Sequence, residues 1–355
     1  MINFINDYNS PGHPAVIQAI AEAAGVKYPG YGTDDVCNAA RQKIASLLGA
    51  QNSGADVHFL VGGTQTNFTA IGAFLRPHEA VIAPDSSHIQ VHETGAIEAV
   101  GHRILMPRPN PSAPGKISAG DVRLICKTHD NEHMVKPRLV YISQSTELGG
   151  VYSLAELRAL RAACDDCGLL LYVDGARLAA ALTSPVNDAA LPDLASLCDA
   201  FYLGGTKNGL LFGEALVVMN PALKDDFRYH QKQRGGLLAK GFLLGLQFLA
   251  IFENDLYFSL AAHANQKAER LRTGLQKLDI SFLVDSGTNQ IFPILSNETV
   301  AALEKNFQFE TWAPVDGQNT AVRFVTSWNT TDDEVGALLT AIRTIKTSPC
   351  KSADE

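Results

Sequence analysis

Leu169-Leu170-Leu171-Tyr172-Val173-Asp174-Gly175-Ala176-Arg177 is the stretch on which the fold turns. Leu169–Val173 offers no polar face, so it reads as a strand covered on both sides, as in a mostly parallel sheet. A helix is expected just before it, over Ser153–Cys167. Ser153 is an N-cap with Glu156 three residues on, a capping box, and Gly168 closes the end. A capped helix passing through glycine into a buried strand is one α/β repeat. The same texture recurs outward, with helices expected at Pro14–Ala24, Asp34–Leu48, Thr66–Leu75 and Pro221–Gln233. Between them lie apolar runs at Val57–Val61, Ala80–Ala83, Leu139–Ser143, Asp199–Leu203 and Ala215–Met219. The pattern predicts an α/β fold with helices flanking a central sheet.

From about Gly235 the texture changes. Leu237–Phe252 and Leu256–Leu278 read as one long helix or two abutting ones. Strands are expected at Ser281–Val284, Gln290–Leu295 and Val322–Thr326, and helices from about Glu298 and at Asp332–Ile345. The organisation predicted is a large α/β domain over residues 1–250 with an amino-terminal arm (1–12). A smaller α+β domain follows over 251–346, with a flexible tail at 347–355.

Composition narrows the field. The chain has 355 residues, 46% hydrophobic and 19% charged, which excludes wholesale disorder. Its 29 basic and 37 acidic residues give a net charge of −8 with no basic run, so nucleic acid and anionic membranes are poor partners. The greasiest stretch, Gly241–Phe252, is shorter than the ~20 residues a membrane-spanning helix needs. Met1-Ile-Asn-Phe-Ile-Asn-Asp7 lacks a signal peptide's basic start and apolar core, so a soluble, cytoplasmic protein is expected. Six cysteines in this length are no disulfide framework, and Cys164-Asp-Asp-Cys167 is a lone CxxC without a second ligand pair, so structural thiols are expected.

In an α/β sheet, ligands bind beyond the carboxyl ends of the strands. The residues there are Gly62-Gly63-Thr64-Gln65-Thr66-Asn67, Asp85-Ser86-Ser87-His88, Gln144-Ser145-Thr146-Glu147, Asp174-Gly175-Ala176-Arg177 and Gly204-Gly205-Thr206-Lys207-Asn208. The first opens a helix and could cradle an anion on free N–H groups. It is neither GxGxxG nor a P-loop. Asp174 stands at the mouth of a buried strand, where an acid wants a cationic partner: Arg177, or a protonated ring nitrogen of a cofactor. Lys207, lined by glycines, could be desolvated enough to attack a carbonyl. His88 and His92 have i, i+4 spacing but lack the Glu of a zincin motif, so no metal is expected.

A lysine for a Schiff base, an acid for a ring nitrogen and a phosphate cradle at a helix start together describe pyridoxal phosphate. On these blocks the chain resembles the fold-type I pyridoxal-phosphate enzymes, and among them the threonine aldolase/β-eliminating lyase family. The resemblance runs from Asn6-Asp7 to Arg323-Phe324. It is carried by Tyr31-Gly32-Thr33-Asp34-Asp35, Gly62-Gly63-Thr64, Ser87-His88-Ile89, Tyr172–Arg177 and Gly205-Thr206-Lys207-Asn208-Gly209. His263-Ala264-Asn265 and Arg323–Trp328 look like the low-specificity L-threonine aldolase and phenylserine aldolase branch.

The resemblance implies an aspartate-aminotransferase-like fold and a lyase that cleaves β-hydroxy-α-amino acids to glycine and an aldehyde. The substrates implied are L-threonine and L-allo-threonine, with phenylserine a further one. Lys207 would carry the cofactor as a Schiff base, Asp174 would hold its ring nitrogen protonated, Gly63 and Thr64 would hold the phosphate, and His88 would stack on the ring. Arg177 and Arg323 would bind the substrate carboxylate, with Asp7 a further substrate-site position. A homotetramer built from dimers with shared sites is implied, with Lys232 or Lys240 as candidates for reaching a neighbour's phosphate. Many members carry a histidine in the turn that here reads Gln144-Ser145-Thr146-Glu147, and its absence leaves the general base open among His92, Glu147, His133 and a phosphate-bound water. The alternatives are β-elimination on the same cofactor, or a non-catalytic protein that binds it.

Overall fold

A computed structural model describes residues 1–347 of the chain. The chain opens on β1 (Ile2–Asn3). The main sheet follows from β2 (Asp56–Leu60), β3 (Glu79–Ile82), β4 (Ile104–Leu105), β5 (Lys136–Ser143), β6 (Leu170–Asp174), β7 (Ala200–Gly204) and β8 (Glu214–Val218). Their order in space is β2-β8-β7-β6-β5-β3-β4. Neighbours from β7 to β4 pair parallel, whereas β8 runs against both β7 and β2. The mostly parallel, doubly covered sheet expected from the apolar runs is therefore present.

Alternate residues of each strand feed opposite cores. Val140, Ile142, Leu171, Val173, Phe201 and Leu203 enter one, and Leu139, Tyr141, Leu170, Tyr172, Ala200 and Tyr202 enter the other. Fully burying each such aliphatic side chain contributes about 1.5–3 kcal/mol. The parity also sends Tyr141, Tyr172 and Tyr202 to one face of three adjacent strands, the face on which Asp174 lies.

The rest of the chain forms a smaller sheet from β9 (Gln290–Ile291), β10 (Ile294–Ser296), β12 (Glu310–Pro314) and β13 (Asn319–Val325), with β9, β10 and β12 all antiparallel to β13. The intervening β11 (Phe307–Gln308) pairs parallel with β1. Phe4, brought in by that pairing, is buried in a third core with Leu271, Leu275, Phe324, Leu338 and Ile342. No helix among the described residues is long and apolar enough to cross a membrane.

Several sequence expectations are corrected. Ser281–Val284 is no strand; it offers an isolated bridge from Phe282 to Pro293. Proline has no N–H to continue a ladder, and the same residue splits Gln290–Leu295 into β9 and β10. The helix expected from Leu237 begins at Phe242; before it, the carbonyl of Ala239 accepts the N–H of Tyr31. Asn254 and Asp255, both at positive φ, divide it from the helix Leu256–Gln276. Pro221–Gln233 is broken by Asp226 at φ 60°, leaving a helix over Phe227–Gln233. The tail expected at 347–355 lies outside the described residues except Thr347, the last residue of the helix Asp332–Thr347.

Candidate active site

The carboxyl ends of the central strands converge because two of them touch backbone to backbone. The Gly204 N–H donates to the Gly175 carbonyl at 3.0 Å. A Cβ on Gly175 would lie 1.6 Å from the Tyr202 carbonyl oxygen, and one on Gly204 would lie 2.5 Å from that of Ala176. Glycine is obligatory here for closeness of approach rather than for backbone freedom. This contact sets Asp174 and Lys207 on adjacent strand ends.

Asp174 is 3% exposed. It accepts hydrogen bonds from the hydroxyls of Tyr141 and Tyr202, each at 2.5 Å, from Asn67 Nδ2 at 2.9 Å and from the Ala176 N–H at 3.0 Å. Burial alone would raise its pKa, but His88 nearby and these donors outweigh it and hold the carboxyl below its ordinary value. Asn67 in turn donates to Glu93 at 2.8 Å and accepts from Tyr172 at 3.1 Å. Glu93 meets His88 Nδ1 at 2.8 Å, which fixes the ring and leaves Nε2 free of that contact.

Lys207 has neither hydrogen bond nor ion pair with any described residue. Burial first, then the charge of Arg177, lowers its pKa, with Asp7, Asp174 and Glu214 acting the other way. The lowered proton affinity makes the neutral, nucleophilic amine easier to reach than for a solvated lysine. Gly62 N-caps the helix Gly63–Phe74 without a side-chain hydrogen bond, so the first-turn amides of Gly63 and Thr64 have no acceptor within the helix.

A cavity of about 530 Å³ opens over these groups, lined by Tyr8, His88, His92, Glu147, Lys207 and Arg323 among others. Glu147 Oε1 accepts from Ser143 Oγ at 2.6 Å and from the His88 N–H at 2.9 Å, while its buried Oε2 has no partner. Burial pushes this carboxyl above its ordinary value. His92, its ring centroid 5.4 Å from that of His88, sits on the lip, and burial together with His88 and Arg323 lowers its pKa.

Both arginines are already paired. Arg177 donates Nε and Nη2 to the Asp7 carboxylate at 2.7 and 3.0 Å, and Asn289 Nδ2 adds a bond to Asp7 at 3.0 Å. Asp7, 3% exposed, does not line the cavity. Burial would raise its pKa, but Arg177 holds it below the ordinary value. So placed, Asp7 steadies Arg177. Arg323 faces Glu310 across the β12–β13 register, is ion-paired to it, and reaches Gln290 Oε1 at 3.3 Å.

The structure thus brings Lys207, Asp174, Gly63, Thr64, His88, His92, Glu147, Arg177 and Arg323 to one edge of the sheet. It does not bring His133. That residue lies on an exposed loop before β5, at the opposite end of an eight-residue strand, ~25 Å from Ser143. Lys232 and Lys240 are exposed, and the Lys232 ammonium lies 4.3 Å from the centroid of the Tyr31 ring. Sequence reading missed Asn67, Glu93, Tyr141 and Tyr202. The tyrosines had a signal: each stands at the same parity on its strand as Asp174 does on its own. Asn67 stood in the Gly62–Asn67 stretch without a role being assigned to it, and Glu93 had no signal, since its place depends on a segment folding back over the sheet.

A mostly parallel sheet with a lysine and an acid on adjacent strand ends defines the aspartate-aminotransferase-like, fold-type I class. The Thermus thermophilus aspartate aminotransferase structure matches with a TM-score of 0.71 at 15% identity, over 97% of this chain and 91% of that one. The chain belongs to the beta-eliminating lyase family, whose model matches residues 3–298. It is 30% identical over 346 residues to the low specificity L-threonine aldolase of Pseudomonas aeruginosa, covering 96% of this chain and 97% of the relative. The Leishmania major threonine aldolase structure matches with a TM-score of 0.94 at 44% identity, over 97% and 99% of the two chains.

Proposed function

We propose that this chain is a pyridoxal-phosphate-dependent lyase of threonine aldolase type, cleaving L-threonine to glycine and acetaldehyde. The observation that carries the reading is Lys207: a half-buried amine on the cavity wall without a protein partner, next to an acid that His88 and four donors keep charged. The residues present fit the cofactor. Lys207 would hold it through Nζ, Asp174 would hold its ring nitrogen, the Gly63 and Thr64 amides would take its phosphate, and His88 would cover one ring face. When bound, pyridoxal phosphate supplies an electron sink for the Cα–Cβ bond pair as that bond breaks.

This chain's own residues choose the bond. Arg323, with Arg177 steadied by Asp7, would fix the substrate carboxylate and so turn Cα–Cβ toward the required orientation. Glu147, on the cavity wall, would take the proton of the β-hydroxyl. The substrate then parts as aldehyde and glycine, the latter regaining a proton at Cα. The cavity of about 530 Å³, walled in part by Ile5 and Tyr8, is large enough for an aryl side chain, so phenylserine belongs to the same proposal, as does L-allo-threonine, which differs from threonine only in configuration at Cβ.

The reading extends to assembly and setting. A homotetramer of dimers is proposed, with the exposed Tyr31 and Lys232 offered to a neighbour; light scattering on the purified protein decides it. A cytoplasmic setting accords with the free thiols of Cys37, Cys126, Cys164, Cys167 and Cys198. The division into parts 1–250 and 251–346 belongs to the same reading.

The test is chemical. Protein incubated with pyridoxal phosphate, reduced with borohydride and digested should carry the pyridoxyl mass on Lys207, and Lys207→Ala should carry none and turn over no threonine. Attachment at another lysine, or turnover by Lys207→Ala, would overturn the assignment.

A further inference from the structure

Glu214 is a buried acid that the chemistry above leaves unused. It is the first residue of β8, and because β8 runs against its neighbours, that first residue lies at the edge where β5, β6 and β7 end. The register sets Glu214 opposite Gly204, the last residue of β7. Its side chain is 3% exposed. Oε2 accepts the Gly205 N–H at 2.9 Å. The Thr206 hydroxyl also bonds the carboxyl while accepting the Gly213 N–H at 3.0 Å. Gly205 and Thr206 are the two residues that lead into Lys207.

The groups facing Glu214 are Asp174 from β6, Tyr172 and Tyr202 from the tyrosine face, Tyr257 from the helix Leu256–Gln276, and Lys207. The Tyr202 hydroxyl already donates its hydrogen bond to Asp174. Lys207 is the cation in the group. A glutamine would accept the Gly205 N–H equally well, so fixing that turn does not require an acid. Burying a carboxyl is costly unless a positive charge answers it.

We propose that Glu214 is a positioning residue for Lys207, bracing the Gly205–Thr206 turn from beneath and adding its buried negative charge to those of Asp7 and Asp174, against which Lys207 holds or releases its proton. The inference rests on Lys207 being the cofactor-bearing lysine. Burial lifts the Glu214 carboxyl to about 7 and lowers the Lys207 amine, while each charge eases the other. The two groups therefore sit closer in proton affinity than a free glutamate and a free lysine do.

The experiment is a pH titration of the visible band of the holoenzyme, with borohydride fixation as a control. In Glu214→Gln the midpoint should fall by about one pH unit, a tenfold loss of proton affinity at the Lys207 nitrogen, because a neighbouring negative charge has gone. Glu214→Asp should stay nearer the wild type. Superimposable titrations of Glu214→Gln and wild type, or Glu214→Asp shifted as far as Glu214→Gln, overturn the proposal. Should Glu214→Gln not fold, Thr206→Val replaces it. Stripped of a donor, the carboxyl holds its own proton more tightly, so the midpoint should move the same way, and an unmoved midpoint overturns the proposal. Lys207→Ala separates the two readings. A band that survives there sinks the assignment of Lys207, whereas a lost band beside an unshifted Glu214→Gln sinks only the role of Glu214.

Discussion

Asp174 keeps its charge under burial because His88 lies near it and tyrosines on both flanking strands donate to it. Tyr141→Phe and Tyr202→Phe each keep the ring and remove one donor, so the Asp174 pKa should rise and kcat/KM should fall about tenfold per site. Asp174→Asn removes the charge and should cost at least about a hundredfold. Steady-state kinetics on the three variants would order them, and a Tyr variant worse than Asp174→Asn would contradict the arrangement. Glu147 acts at the same scale. A general base must be unprotonated, and burial has raised this carboxyl, so kcat/KM should climb with pH above the usual carboxylate range. Glu147→Gln should flatten that limb and lower kcat by about 10²–10⁴-fold. An unaltered pH–rate profile would pass the role to His92.

Among the elements, the contact between the ends of β6 and β7 tolerates least. Gly175→Ala must push the Tyr202 carbonyl aside, at a cost of about 3 kcal/mol, the upper end of ordinary overpacking, and thermal melting should register it. A melt equal to the wild type's would show that the strand ends can part. How much of this was readable in the sequence follows from what each element depends on. The central strands were legible because Leu169–Val173 and its like are apolar throughout, and Asp174, Lys207, His88 and Gly63 followed as the residues just past their ends. β12 was not: Glu310–Pro314 is half exposed, and its place is set by pairing with β13, a long-range contact. The helix Ala119–Thr128 also escaped notice, although Ser118 and Asp121 form a capping box. The pairings of Asp7 with Arg177 and of Glu310 with Arg323 join positions far apart in the chain, and no local pattern announces them.

For the whole molecule, Asp7 is where separate parts of the chain meet: the amino-terminal arm supplies it, the main sheet supplies Arg177, and the smaller part supplies Asn289. Its folded pKa lies below the ordinary 3.8, so its contribution to stability is present above that value and is lost as pH falls through the lower folded value. Asp7→Asn leaves Arg177 buried without its counter-charge and should cost up to about 3–5 kcal/mol at neutral pH. The variant should also lose that share of the acid sensitivity. Melting curves from neutral pH down to about pH 3 would read both effects, and parallel curves for the two proteins would refute the account. The arm that delivers Asp7 is held by the short pairing of β1 with β11, by Phe4 in the third core and by this ion pair. Residues 1–8 thus behave as a ligand bound by the rest of the chain at the millimolar effective concentration of a short tether. One cut at the exposed Tyr8–Asn9 link would replace that concentration with the bulk one. At micromolar protein the arm would then dissociate and Arg177 would lose its partner, silencing the site although the cofactor lysine, its acid and the phosphate cradle were all intact.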